Sequence, residues 1–375
     1  MKFLFRTRYP YPTCLAVVCF LLCECSADGI FYRSSCCKGQ ANFVPDVYKK
    51  TTDFIEAYGY VAESHSVVTE DGYIVTVHRI PRKQYDSSYN EVRQPFRPVV
   101  LIQHGIAGRS DNWLLNGPTS FPFVLNDAGY DVWLSDSRGN YYSKRHIRLS
   151  PNDPKFWDFS FHEQAYYDLP AMTDYIINTT GQSKIFYVGH SRGSTMIYVL
   201  LSLRPEYNDK FHLILNFAPV VYLRNSRSPL LQTIFKASTL DIKNLSRNFR
   251  LLTLPGINDK SVGFRKGLCV NGSATQLLCL QFIFSFAGYD HELFNTTNFP
   301  VISTHFPDGG SAKELLHYIQ IANTDIFRPY DYNPETNLKV YGQYEPPEYN
   351  IENITAPMWL IYGRNDFVVS REKVP

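Results

Sequence analysis

Gly189-His190-Ser191-Arg192-Gly193 sets a hydroxyl between two glycines, directly after the apolar run Ile185 to Val188 and at the head of a helix-forming stretch. In a strand-turn-helix setting that spacing has a mechanical meaning. The serine must sit on a bend sharp enough for its hydroxyl to project, and the chain two residues before and after passes too close for a side chain, hence Gly189 and Gly193. The helix N-terminus behind the hydroxyl also favours a developing negative charge. The chemistry is nucleophilic attack on a carbonyl, with Ser191 as the nucleophile.

Attack on an ester creates an oxyanion that needs two backbone N–H donors. One comes from the residue after the nucleophile, Arg192, and the other from the loop after an earlier strand, where Gln103-His104-Gly105-Ile106 stands. We assign Ile106 N–H as the second donor. His104 then supports the loop rather than acting as a base, because in sites of this order the base follows the acid in sequence. The acid belongs in a loop after a later strand. Met358 to Tyr362 followed by Gly363-Arg364-Asn365-Asp366 fits, with Asp366 at the strand's carboxyl end.

These groups need a scaffold. Tyr73 to Ile80 alternates apolar and polar residues in the manner of an edge strand. Pro98 to Ile102, Tyr130 to Leu134 and Lys184 to Val188 are nearly continuous apolar runs, as buried parallel strands are. His212 to Phe217 and Met358 to Tyr362 complete the series. Phe161 to Ile177 and Ser191 to Leu203 are helical stretches, the second stopped before Pro205. Strand-helix alternation predicts an α/β fold with a mostly parallel sheet. The stretch from Val220 to Ala356 far exceeds the dozen or so residues of a crossover, so it holds an insertion. Within it, Val221 to Leu268 carries nine basic residues against two acids. Ser228-Pro229 makes a helix start, and Leu230, Leu231, Ile234 and Phe235 share one face, so the segment reads as a basic amphipathic cap able to face a lipid interface. A solvated helix packed on the core is the competing reading of the same charges.

Composition closes other routes. The 375 residues hold 37 Lys+Arg against 35 Asp+Glu and are 44% hydrophobic. That balance leaves no electrostatic footprint for nucleic acid, and the apolar content argues against disorder. No histidines pair at metal-ligand spacing, and no glycine loop of the phosphate-binding kind is present. Lys2, Arg6 and Arg8 precede the apolar run Cys14 to Cys23, with Cys25-Ser26-Ala27 as small residues before a cut, so residues 1–27 read as a secretory signal peptide. That run is too short to span a bilayer, and no later segment reaches the length of a transmembrane helix. Export makes the sequons at Asn178, Asn244, Asn271, Asn295 and Asn353 candidate glycosylation sites. Cys269 and Cys279 are the favoured disulfide, two free thiols being the alternative, while the adjacent Cys36 and Cys37 are awkward to pair with each other.

From about Asp46 to Asp366 the chain resembles the acid lipases, the gastric and lysosomal acid lipase group of α/β-hydrolases. The resemblance rests on Val68-Thr69-Glu70-Asp71-Gly72-Tyr73, Gln103-His104-Gly105, Asp127 through Leu134, Ser137-Arg138-Gly139-Asn140, Phe156-Trp157, Tyr167-Asp168-Leu169-Pro170, Gly189-His190-Ser191 and Ala218-Pro219-Val220. It implies an α/β-hydrolase core over residues 28–220, a cap or lid over 221–350 and a returning acid-bearing strand and loop over 351–375. It also implies a secreted or lysosomal enzyme that hydrolyses neutral lipid esters, triglyceride or sterol ester, through an acyl-enzyme at a lipid-water interface, without metal or organic cofactor. The same roles follow for Ser191, Asp366, Ile106 and Arg192. The paired cysteines echo the family, one residue further apart than expected.

Two departures accompany the resemblance. The family usually carries Gln after the nucleophile and Thr after the second glycine, where this chain has Arg192 and Ser194, so a cation beside the nucleophile is expected to bear on substrate preference. In addition, all ten histidines precede Asp366, and nine residues follow it. The catalytic histidine of the order Ser, acid, His is thus absent from this chain, and the reading expects a truncated product without the final strand and helix. His305 and His317, in the stretch returning from the cap, read as structural or cap-contact residues. The competing functions are a non-catalytic lipid-binding relic of such an enzyme and another hydrolase on the same fold, such as a peptidase.

Overall fold

The computed structural model describes residues 45–85, 96–238, 253–254, 268–269, 272–273, 275–290, 292 and 294–369. The signal segment, Cys14, Cys19, Cys23, Cys25, Cys36, Cys37, most of the basic stretch and the sequons Asn244 and Asn271 lie outside the described residues.

The strands are β1 (Glu63–Val68), β2 (Tyr73–Ile80), β3 (Val99–Gln103), β4 (Asp131–Asp136), β5 (Arg145–His146), β6 (Ile185–His190), β7 (Phe211–Phe217), β8 (Thr253–Leu254), β9 (Gly310–Ser311) and β10 (Met358–Ile361). The main sheet runs β1-β2-β4-β3-β6-β7-β10, with β5 paired to β2. From β4 to β10 all neighbours are parallel, and β1 and β2 are antiparallel additions. The continuous apolar runs are explained by burial on both faces. In β3, Val99 and Leu101 join a cluster with Met172, Ile176, Met196 and Leu200, while Val100 and Ile102 pack with Phe54, Ile55 and Phe123. The first set faces α3 (Leu169–Thr180) and α4 (Arg192–Leu203); the second faces α1 (Thr51–Ala57) and α2 (Phe121–Asp127).

β2 is not the edge strand its alternation predicts, because it lies between β1 and β4. Its polar positions are satisfied inside the protein: Thr76 N–H donates to Ser143 Oγ at 2.9 Å, His78 Nδ1 meets Ser64 Oγ at 2.8 Å, and Arg79 Nη2 pairs with Asp131 at 2.8 Å. Polarity at these positions records hydrogen-bonding partners on neighbouring elements.

The insertion between β7 and β10 carries α5 (Pro229–Ser238), α6 (Gln276–Ala287), α7 (Phe299–His305), α8 (Ala312–Thr324) and α9 (Pro334–Tyr341). α5 begins where Ser228-Pro229 predicts, with Leu231 and Phe235 buried and Gln232, Thr233 and Lys236 exposed. Cys269 and Cys279 form a disulfide beside Phe299. The return half is less separate than the word cap implies: Tyr318, Ile319, Ile321 and Ala322 of α8 share one core cluster with α4. Among the described residues no helix is long and apolar enough to cross a membrane.

Candidate active site

Ser191 joins β6 to α4 at φ 53° and ψ −112°, a conformation that residues with a side chain rarely adopt. The surroundings hold it there. Ser191 N–H donates to Phe217 O at 2.9 Å, Ser194 Oγ to Gly189 O at 3.0 Å and Tyr187 Oη to Gly193 O at 2.7 Å. Both flanking glycines are required sterically. A Cβ on Gly189 would sit 2.8 Å from the carbonyl carbon of Gly193, and one on Gly193 would sit 2.7 Å from Gln103 O. Ser191 keeps partial exposure while the helix behind it is buried.

The loop after β3 touches Ser191. A Cβ on Gly105 would lie 3.2 Å from Ser191 Cβ and 3.0 Å from His190 Nδ1, so Gly105 allows the loop to close on the serine and brings Ile106 alongside. Arg192 is the first residue of α4, so its N–H has no intrahelical acceptor. His104 is buried. Its Nε2 accepts from Ser137 N–H at 3.2 Å, which leaves the proton on Nδ1 for Gly105 O at 2.8 Å. Burial, seconded by the Arg192 charge, pulls the His104 pKa down to about 3, so the imidazole is neutral and props the loop after β3.

The Arg192 side chain does not stand at the mouth of the site. It is 3% exposed and turns inward, with Nη1 3.3 Å from the carboxylate of Glu314 on α8 and Nη2 3.2 Å from Ser137 Oγ. Any bearing of this cation on substrate preference is therefore indirect: β6 and α4 point it into the core, where a buried acid compensates it.

Asp366 follows β10 in a loop fixed at several points. Its Oδ1 accepts from the N–H groups of Val368 at 2.8 Å and Val369 at 2.9 Å, and its own N–H donates to Gly363 O at 3.1 Å. The Asp366 charge is felt at His190, the residue before Ser191. His305 and His317 are engaged elsewhere. His305 Nδ1 meets Arg109 Nη2 at 2.7 Å and Nε2 meets Asp46 O at 3.0 Å, while His317 lies between Ser160 Oγ at 3.0 Å and Arg328 O at 2.8 Å.

Sequence reasoning missed Glu314 and Asp308. The signal for the first is a lone acid on the apolar stripe Glu314, His317, Tyr318, Ile321 at helical spacing. Of the sequons, Asn178 and Asn295 are exposed, whereas Asn353 Nδ2 donates to Ser202 O at 2.8 Å.

Two family models match the chain: a partial alpha/beta-hydrolase lipase region over residues 51–117 and the alpha/beta hydrolase fold over residues 98–235. Lipase 1 of Drosophila melanogaster is 38% identical over 329 residues, covering 87% of this chain and 70% of its own length. Lipase member K of Mus musculus is 35% identical over 358 residues, covering 94% and 85%. Gastric triacylglycerol lipase of Rattus norvegicus is 36% identical over 332 residues, covering 88% and 82%.

Proposed function

The chain belongs to the acid lipase family of α/β-hydrolases and is a carboxylic ester hydrolase, and from that premise we propose that Ser191 hydrolyses neutral lipid esters, triglyceride or sterol ester, through an acyl-enzyme. Ser191 Oγ adds to the ester carbonyl carbon while its proton passes to a histidine. The oxyanion is met by the N–H groups of Ile106 and Arg192. Collapse expels the alcohol, which takes the proton back, and water then releases the fatty acid by the same steps in reverse order. With Oδ1 of Asp366 held by two amides, Oδ2 is the oxygen that would orient the histidine. His305 and His317 are committed to other partners, and all ten histidines of the sequence precede Asp366, so none takes the base's place in the order Ser, acid, His.

The observation that carries this reading is the conformation of Ser191 between two glycines that tolerate no side chain. Its test is Ser191→Ala in the protein, assayed on an emulsified long-chain ester. We expect activity to fall by at least about 10⁴-fold. Turnover that survives the substitution sinks the mechanism.

We also propose that the partner is a lipid-water interface and the route is export, to the outside or to the lysosome. Leu277 and Leu278 of α6, 60% and 64% exposed, support the first. The charged, then apolar, then small pattern of residues 1–27 supports the second, with Asn178 and Asn295 as the accessible glycan acceptors.

A further inference from the structure

Both sides of the oxyanion hole are tied to one short stretch of the insertion, His305 to Glu314. On the loop side, Asp308 N–H donates to Ala107 O at 2.7 Å, at a residue whose φ is 50°, and Asp308 Oδ2 accepts from Tyr141 N–H at 2.7 Å. The side-chain amide of Asn112 reaches His305 O at 3.1 Å. On the nucleophile side, Glu314 meets Arg192 at 3.3 Å with both side chains buried. Arg192 Nη2 lies 3.0 Å from the imidazole that props Gly105.

We propose that Glu314 is a positioning residue for the oxyanion hole, acting through the Arg192 guanidinium, so that the insertion completes the catalytic geometry instead of only covering it. The inference rests on the assignment of Ser191 as nucleophile and deepens it.

The physical case begins with cost. A buried ion pair seldom adds stability over apolar residues of the same size, because desolvation consumes the attraction, whereas removing one partner strands a charge. A pair in this place has to be understood by what it orients. Arg192 supplies a backbone donor to the oxyanion, so the direction of that N–H depends on how the residue is seated. Its Nε is buried without an acceptor among the described residues, which leaves the seat to the contacts at Nη1 and Nη2. Glu314 provides the charged one. It is itself held at the first turn of α8, whose N-cap Ser311 accepts from Lys313 N–H at 3.1 Å and donates to Trp157 O at 2.7 Å. The chain of contacts runs from the β-sheet's carboxyl edge to α8 and back to both oxyanion donors. A displaced Glu314 would move the guanidinium against His104 and so disturb Arg192 N–H and the Gly105 loop together.

The test separates the oxyanion from ground-state binding. A long-chain alkylboronic acid takes Ser191 Oγ as a fourth ligand on boron and presents a tetrahedral oxyanion; a fatty alcohol of the same length fills the acyl site without one. In the full protein we expect Glu314→Gln to weaken boronate binding about tenfold while leaving the alcohol within about twofold. Glu314→Asp keeps the charge and therefore the fold, and is expected to weaken the boronate alone by about threefold. Arg192→Gln/Glu314→Gln, with no charge to strand, should recover most of the loss. Equal weakening of both ligands, or no weakening in either Glu314 variant, overturns the proposal. Ser191→Ala serves as the separate control: if it binds the boronate as well as the unaltered protein does, the nucleophile assignment itself fails.

Discussion

The amide of Phe367 donates to the carbonyl of Ala287 at 3.0 Å, joining the loop that carries Asp366 to the last turn of α6. The carbonyl of the same residue accepts from Arg227 N–H at 2.7 Å, Ser228 N–H at 2.9 Å and Ser226 Oγ at 2.9 Å. The acid loop is thus clamped through one residue by the entry to α5 and the exit from α6. Its position is set by the insertion as well as by β10.

Gly288 is the tightest point of that clamp. Its φ is 118°, and a Cβ there would stand 2.0 Å from Asn365 O, one residue before the acid. We expect Gly288→Ala to cost about 1–3 kcal/mol in backbone strain alone and to lower ester hydrolysis more than it lowers the thermal midpoint. Steady-state rates measured beside a melting curve check this; full activity in the variant means that the clamp does not set the acid.

Ser191 is held at φ 53°, a conformation that only glycine takes without strain. Ser191→Gly should therefore be inactive yet more stable than the native chain by about 1 kcal/mol. Urea unfolding reads the difference. A loss of stability in this variant contradicts the strain assignment.

Two buried imidazoles set the response to acid. Burial pulls the pKa values of His104 and His317 down to about 3, so both are neutral in the folded protein, while in the unfolded chain they titrate near the ordinary histidine value of 6.5. Below that value the unfolded state binds the extra protons. The stability these groups contribute is therefore fully present above 6.5 and is lost as pH falls from 6.5 toward 3, each group costing about 1.4 kcal/mol per pH unit. His317→Gln keeps an amide donor near Arg328 O and removes one of the two titrations. Between pH 6.5 and 4.5 it should lose about 2–3 kcal/mol less than the unaltered chain. Identical pH slopes in denaturant titrations argue against a neutral His317.

The Cys269–Cys279 bond spans ten positions and packs against Phe299 at the foot of α7. Closing so short a loop restricts the unfolded chain by about 2–3 kcal/mol. Cys279→Ser should destabilise the protein by that amount, and mild reductant should reproduce the shift in the unaltered chain. A midpoint insensitive to both argues that the bond contributes nothing to the folded state.

How much of this could be read in the sequence depends on where each constraint is written. Gly189 and Gly193 announce the bend because their lack of a side chain is the constraint, and β3, β4 and β6 announce themselves because burial on both faces leaves an almost unbroken apolar run. β2 was misread because its polar positions face Ser143, Ser64 and Asp131 across the sheet, and a buried hydrogen bond looks like solvent in a single chain. The partner of Arg192 stands 122 positions away and could not be paired from spacing. The clamp on Asp366 is built from main-chain groups at Ala287, Arg227 and Ser228, and main-chain bonds leave no mark on residue type.

Asp308 and Glu314 also bear on how such a chain can be recombined. Topology draws the border of the insertion after β7 and before β10, yet the contacts from these two residues to Ala107, Tyr141 and Arg192 cross it. A hybrid that received residues 221–350 from another member of the family would import new groups at 308 and 314 and keep the old ones they have to meet. The stretch from His305 to Glu314 is inherited with the core.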